Sequence, residues 1–305
     1  MTTQDPLILG FPEYRKQTQQ LAQAADLDYA EVQLHHFPDG ESKVRLPLEL
    51  PEHLIFCRSL HHPNDKLVEL MLAAQGARNQ GAKTLSLVAP YLCYMRQDKA
   101  FHPGEVVSQK IIGGLIASHF DNILTVDAHL HRVHHLADAV PAKQAINITA
   151  TEPMAHFLRQ KIEQPLLIGP DEESEQWVAE IAALQNLDYT VATKQRLGDR
   201  DVHISLPAGN FTGKNIVLVD DVASTGKTLL AAVRLLAPYH PASISILVTH
   251  AFFVDDAIHQ LKNAGVRNIW SCDSIPHPTN AISLADSLAR NLDFSETHPS
   301  QAGSH

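Results

Sequence analysis

The chain has 305 residues, long enough for two domains, and its 44% hydrophobic and 19% charged content is that of a globular protein with a sizeable core. A formal net charge of −10 excludes nucleic acid bound through a broad basic face, but not small anionic ligands held by local donors. Three widely spaced cysteines, Cys57, Cys93 and Cys272, exclude a disulfide framework and fit a reducing cytoplasm. The N-terminus has no signal-peptide pattern, and no apolar run reaches membrane-spanning length, so no membrane partner is expected. Many of the 19 histidines sit in scattered pairs (His35-His36, His61-His62, His134-His135) without metal-ligand spacing and read as solvated surface.

In chain order, Leu7–Leu9 reads as a strand, Tyr14–Ala25 as a helix and Tyr29–Leu34 as an alternating strand. A Pro/Gly turn follows at Phe37–Glu41, then strands at Lys43–Leu46 and Leu54–Cys57. Asn64 is expected to cap a helix running to about Gln80. Thr84–Ala89 is a buried strand whose end, Pro90-Tyr91, leads into a loop through Asp98. Glu105–Ser118 reads as a helix, and Asn122–Val126 as a strand ending at Asp127-Ala128-His129. The second half repeats the alternation. Helices are expected at Glu152–Ile162, Ser174–Leu184, Asp255–Ala264 and Ile282–Leu292, and strands at Leu166–Ile168, Tyr189–Ala192, Ser243–Val248 and Asn268–Trp270. The polar tail from Ser295 reads as frayed. Strands alternating with helices imply an α/β protein with parallel sheets flanked by helices. A weak internal echo suggests two similar domains, 1–147 and 148–305, divided near Asn147.

The most informative stretch is Asn215–Leu230. A buried strand is followed by Asp220 and Asp221, then by the small-residue turn Ser224-Thr225-Gly226, then by a helix. Small residues there let backbone N–H groups converge on an anion, while carboxylates hold sugar hydroxyls or a hydrated metal. Together they suit a sugar phosphate. Gly226-Lys227-Thr228 also resembles the end of a P-loop, but that motif needs glycine where Asp221 stands. A plain strand-turn-helix with a solvated acidic turn remains the bland alternative.

Three strand ends carry acidic or imidazole groups: Asp127/His129, Asp171 and Asp220/Asp221. Ligand sites of parallel sheets lie outside these ends. The loops Arg96-Gln97-Asp98 and Lys194-Gln195-Arg196 add cations able to reach a polyphosphate, and the carboxylates with histidine suit magnesium.

With these residues the chain resembles the ribose-phosphate pyrophosphokinase family over nearly its whole length. Phe37-Pro38-Asp39-Gly40-Glu41 is similar to the family's nucleotide loop, Pro90–Asp98 to its ATP-binding P-Y-x-x-Y-x-R-Q-D segment, and Asp127-Ala128-His129 to its D-L-H. Gly169-Pro170-Asp171 is similar to its S-P-D, Lys194 and Arg196 to the K-x-R of its catalytic loop, and Asp220–Thr228 to its phosphoribosyl pyrophosphate (PRPP) loop. The resemblance implies two type I phosphoribosyltransferase-like domains, ATP on the first and ribose 5-phosphate on the second. It implies diphosphoryl transfer from MgATP to the C1 hydroxyl of ribose 5-phosphate, giving PRPP and AMP. ATP would then be bound by Phe37, Asp39, Glu41, Arg96, Gln97, Asp98 and His129. Ribose 5-phosphate would be bound by Asp220, Asp221, Ser224, Thr225, Gly226, Lys227 and Thr228. Lys194 and Arg196 would be catalytic, with His129 and Asp171 at magnesium. A homo-oligomer is implied as well. The chain departs from the family at Asp171-Glu172-Glu173, where a Gly-rich segment is usual, and at Lys227, which replaces a glycine. Two other functions share parts of this pattern: a phosphoribosyltransferase that consumes PRPP, and a non-catalytic, synthetase-like regulatory subunit.

Overall fold

The computed structural model describes residues 5–294 apart from 101, 131, 132, 134, 197–201 and 208, so the tail from Ser295 lies outside the described residues. Two compact units emerge. One holds the chain up to Ile148 together with the segment from Ala285 onward; the other is Thr149–Leu284.

The first unit runs β1 (Leu7–Gly10), α1 (Arg15–Ala25), β2 (Asp28–Glu31), β3 (Gln33–His36), β4 (Ser42–Arg45), β5 (His53–Cys57), α2 (Pro63–Asn79), β6 (Thr84–Ala89), α3 (Ser108–Ala117), β7 (Asn122–Val126), α4 (Leu136–Ala139) and β8 (Gln144–Ile148). Its sheet has the order β2-β1-β5-β6-β7-β8, every pair parallel. The interior strands β5, β6 and β7 are apolar and buried almost end to end, as strands covered on both faces must be. Between β2 and β5 the chain leaves the sheet and forms the antiparallel hairpin β3–β4.

The second unit runs α5 (Thr151–Lys161), β9 (Leu166–Gly169), α6 (Glu175–Gln185), β10 (Tyr189–Val191), β11 (Thr193–Arg196), β12 (Val202–Ser205), β13 (Asn215–Ala223), α7 (Lys227–Leu236), β14 (Ser243–Ala251), α8 (Ala257–Asn263), β15 (Val266–Cys272) and β16 (Asn280–Ile282). The order is β10-β9-β13-β14-β15-β16, again parallel, with the hairpin β11–β12 outside it. Each unit thus has the same plan: second strand, first strand, then third to sixth, and a hairpin after the second. The closing helix α9 (Ala285–Ala289) returns to the first unit and packs on α1.

Several elements differ from the sequence expectation for local reasons. Tyr29–Leu34 is not one strand but two, because the Val32 N–H bonds to Gly10 O (2.8 Å) and turns the chain out of the sheet. Asn64 does not cap α2. Pro63 opens that helix, with His62 before it in the left-handed region, and Asn64 instead accepts a hydrogen bond from the Tyr94 hydroxyl. Strands β8 and β16 were hidden in polar, Asn-containing sequence. Ile282 closes β16 rather than opening the last helix, which is only five residues long.

Candidate active site

In the second unit, β13 runs on to Ala223 rather than ending before the carboxylates. Its pairing with β9 stops at Leu218↔Ile168, whereas its pairing with β14 continues to Ala223↔Ala251. Asp220 and Asp221 therefore lie beyond the end of β9 yet are still held rigidly by β14. The β9/β13 junction is where the strand order reverses, since β9 leads outward to β10 and β13 leads the other way to β14. Open α/β sheets bind ligands at such a switch point.

Asp221 is buried and its N–H bonds to Asp220 Oδ1 at 3.0 Å. Burial, then the negative charges of Asp221 and Asp171, raise the Asp220 pKa well above the ordinary carboxylate range. Asp171 follows β9 in extended backbone, and Glu172–Ser174 form a single 3-10 turn. Gly169 packs closely there: a Cβ would come within 2.4 Å of Ser174 Oγ, so a larger residue would displace that hydroxyl. Glu172 and Glu173 are exposed, so solvent screens the two carboxylates that depart from the family pattern.

The turn after β13 ends at Gly226, which is buried at φ +67, a conformation that glycine adopts without penalty. No side chain caps α7, so its first amides are not satisfied by a capping group. An uncapped helix start is a ready anion site. The turn is braced from below: Phe252 and Phe253 N–H bond to Ala223 O (2.9 and 3.0 Å), and Val254 N–H bonds to Ser224 O (3.0 Å). Ser224 and Thr228 are half-buried and Thr225 exposed. Lys227 is exposed at the first helical position, so it does not fill the turn. Lys194 and Arg196 sit two apart on β11, opposite Ile204 and Val202. The sequence placed them in a plain loop; they belong to a hairpin, and 197–201 lie outside the described residues.

In the first unit, the hairpin tip Phe37–Glu41 is exposed and closed by Phe37 N–H to Glu41 O (2.8 Å), with Asp39 Oδ1 accepting from Glu41 N–H (3.1 Å). Arg96 is exposed and Gln97 and Asp98 half-buried, after Tyr94 in the left-handed region. The loop is pinned to α3: Ser108 Oγ donates to Gln97 Oε1 (3.0 Å), and buried Gln109 Nε2 donates to Met95 O (3.0 Å). His129 follows Asp127, which is buried at φ +40. Asn147 of β8 accepts from Ala128 N–H at 2.9 Å and so fixes the backbone beside His129. Neither Asn147 nor β8 was evident in the sequence. Among the described residues, no three acidic, histidine or cysteine side chains form a metal cage. His129 belongs to the first unit and Asp171 to the second.

Comparison with known proteins bears on this arrangement. A family model described as the N-terminal domain of ribose phosphate pyrophosphokinase matches residues 7–119, and one described as the phosphoribosyl transferase domain matches 137–285. The ribose-phosphate pyrophosphokinase of Methanopyrus kandleri is 31% identical, over 94% of this chain and 98% of that protein. That of Methanobrevibacter smithii is 30% identical, over 94% and 99%. The crystal structure of phosphoribosylpyrophosphate synthetase from Mycobacterium smegmatis shares the fold, with a TM-score of 0.82 at 21% identity over 94% of this chain and 97% of the other. Related along nearly its entire length, the chain is an enzyme that belongs to the ribose-phosphate pyrophosphokinase family.

Proposed function

We propose that the chain transfers the β,γ-diphosphoryl group of MgATP to the C1 hydroxyl of ribose 5-phosphate, yielding PRPP and AMP. The observation that carries this is the β13–α7 element. It offers two carboxylates at a sheet's switch point and, one turn later, an uncapped helix start. Asp220 and Asp221 accept hydrogen bonds from the ribose 2- and 3-hydroxyls. Ser224, Thr225, Gly226, Lys227 and Thr228 hold the 5-phosphate through hydroxyls, backbone N–H groups and one ammonium. Phe37, Asp39, Glu41, Arg96, Gln97, Asp98 and His129 bind ATP. The C1 hydroxyl oxygen attacks the β-phosphorus, the bond from that phosphorus to the α,β-bridging oxygen breaks, AMP departs with this oxygen, and the hydroxyl proton is lost to solvent. Lys194 and Arg196 neutralise charge on the transferring group.

Magnesium fits the donor set, because Asp220, Asp221 and Asp171 bring hard carboxylate oxygens close enough for the two neighbours' charges to raise the Asp220 pKa. Asp171 would be its candidate contact in the second unit and His129 the candidate contact for the nucleotide's metal in the first, with waters and substrate phosphates filling the remaining positions. It would supply charge neutralisation for the phosphates. A homo-oligomer and a cytoplasmic site of action complete the proposal; no described helix is long and apolar enough to cross a membrane.

The test is nucleotide analysis after incubation with MgATP and ribose 5-phosphate. AMP should accumulate in step with loss of ribose 5-phosphate. ADP in its place would mean single-phosphoryl transfer, and an unchanged ATP pool would contradict the proposal.

A further inference from the structure

The hairpin β3–β4 presents Phe37–Glu41 at its tip, and its last pair before that tip is His36↔Ser42. Both residues of this closing pair bond to one oxygen. His36 Nε2 donates to Glu69 Oε1 at 2.7 Å and Ser42 Oγ donates to the same atom at 2.9 Å. Glu69 lies on α2 and is 1% exposed. Its second oxygen, Oε2, accepts from Arg58 Nη2 at 2.5 Å. Arg58 follows β5, is 2% exposed, and also bonds Glu13 Oε1 through Nε (2.7 Å) and Lys66 O through Nη1 (3.1 Å). Its guanidinium lies 4.1 Å from the centroid of the buried Phe11 ring. One buried carboxylate thus ties both stems of an exposed loop to the ends of β1 and β5.

Burying a carboxylate and a guanidinium is costly, and apolar residues would fill the same space at no such cost. The expense is understandable if geometry, rather than stability, is what the pair provides. The matching hairpin of the other unit makes the contrast. There β12 packs on α7, as β4 packs on α2, but α7 (Lys227–Leu236) contains no acidic residue and offers its hairpin no such anchor.

We propose that Glu69 and Arg58 are positioning residues for the loop Phe37–Glu41, holding its closing pair so that the loop meets the nucleotide preformed. This rests on the assignment of Phe37–Glu41 to ATP. Glu69 touches no substrate; it acts through His36 and Ser42.

The decisive variant is His36→Ala/Ser42→Ala, which frees the hairpin and leaves the buried Arg58–Glu69 pair intact. The KM for ATP should rise about tenfold or more, with the KM for ribose 5-phosphate nearly unchanged and the melting temperature lowered only by the loss of two hydrogen bonds to Glu69. Ser42→Thr alone, which keeps the hydroxyl, should retain the wild-type KM. Phe37→Ala serves as the reference for the loop itself. If Phe37→Ala raises the KM for ATP and His36→Ala/Ser42→Ala does not, the positioning role is wrong and the loop assignment stands. If both KM values rise together, Glu69 is merely structural. If Phe37→Ala has no effect on the KM for ATP, the loop assignment falls and this inference with it.

Discussion

Asp220 is the residue at which stability and chemistry oppose each other. Its pKa is raised by burial and by the charges of Asp221 and Asp171. The folded, ligand-free protein therefore binds a proton more tightly than the unfolded chain does. That contribution is full at acid pH and is lost as pH rises through the raised pKa. Asp220→Asn should stabilise the ligand-free protein at neutral pH by about 1 kcal/mol, read by denaturant unfolding. It should also cut kcat/KM for ribose 5-phosphate by about a hundredfold or more. Asp121 shows the opposite sign. Burial opposes its ionisation, but hydrogen bonds from Lys143, the Leu85 N–H and Arg78 outweigh burial and hold it at about 2. Its stabilisation is present above the ordinary value of 3.8 and lost as pH falls towards 2. Asp121→Asn should cost about 2 kcal/mol at neutral pH and flatten the acid limb of stability between these values. At this scale the sequence was legible wherever a motif fixed identity and spacing, as at Asp220-Asp221. Glu69 was not legible, because an acidic residue on a helix that also carries Asp65, Lys66 and Arg78 gives no sign of the partners that justify its burial.

Among elements, β13–α7 and the two hairpins carry most of the residues proposed for the chemistry. Apolar runs identified β5, β6, β7 and the start of β13, because strands buried on both faces carry their own signature. The end of β13 was not legible, since its last residues are held by β14 alone, and that register is a tertiary fact. The hairpin β11–β12 was likewise not legible: Lys194-Gln195-Arg196 was read as a loop after the strand that became β10. Its pairing brings Lys194 opposite Ile204 and Arg196 opposite Val202, partners ten and six residues away in sequence. Lys194→Ala and Arg196→Ala should each lower kcat by about a hundredfold to a thousandfold. The KM for ribose 5-phosphate should move far less, because these cations act on charge that develops in the transferring group. A raised KM with kcat unchanged would assign them to ground-state binding instead.

For the molecule as a whole, the two units share one strand order and one hairpin insertion, and the internal echo in the sequence was the faint trace of that plan. The units differ at the switch point. Counted from the β1↔β5 and β9↔β13 registers, the position of Asp220 in the second unit is held by Arg58 in the first. Where the second unit places carboxylates, the first fills the place with a guanidinium bonded to Glu13 and Glu69. This difference favours the proposed division, in which the second unit takes the sugar through this element and the loops of the first take the nucleotide. The last helix was assigned with the second half from its place in the chain, while its packing on α1 joins it to the first unit. The most direct measurement of the central claim follows the terminal phosphates of ATP. With γ-labelled MgATP and unlabelled ribose 5-phosphate, the label should appear in the pyrophosphate group of PRPP, one equivalent for each AMP formed. Label recovered in a sugar monophosphate ester beside ADP, or left in ATP, would contradict it.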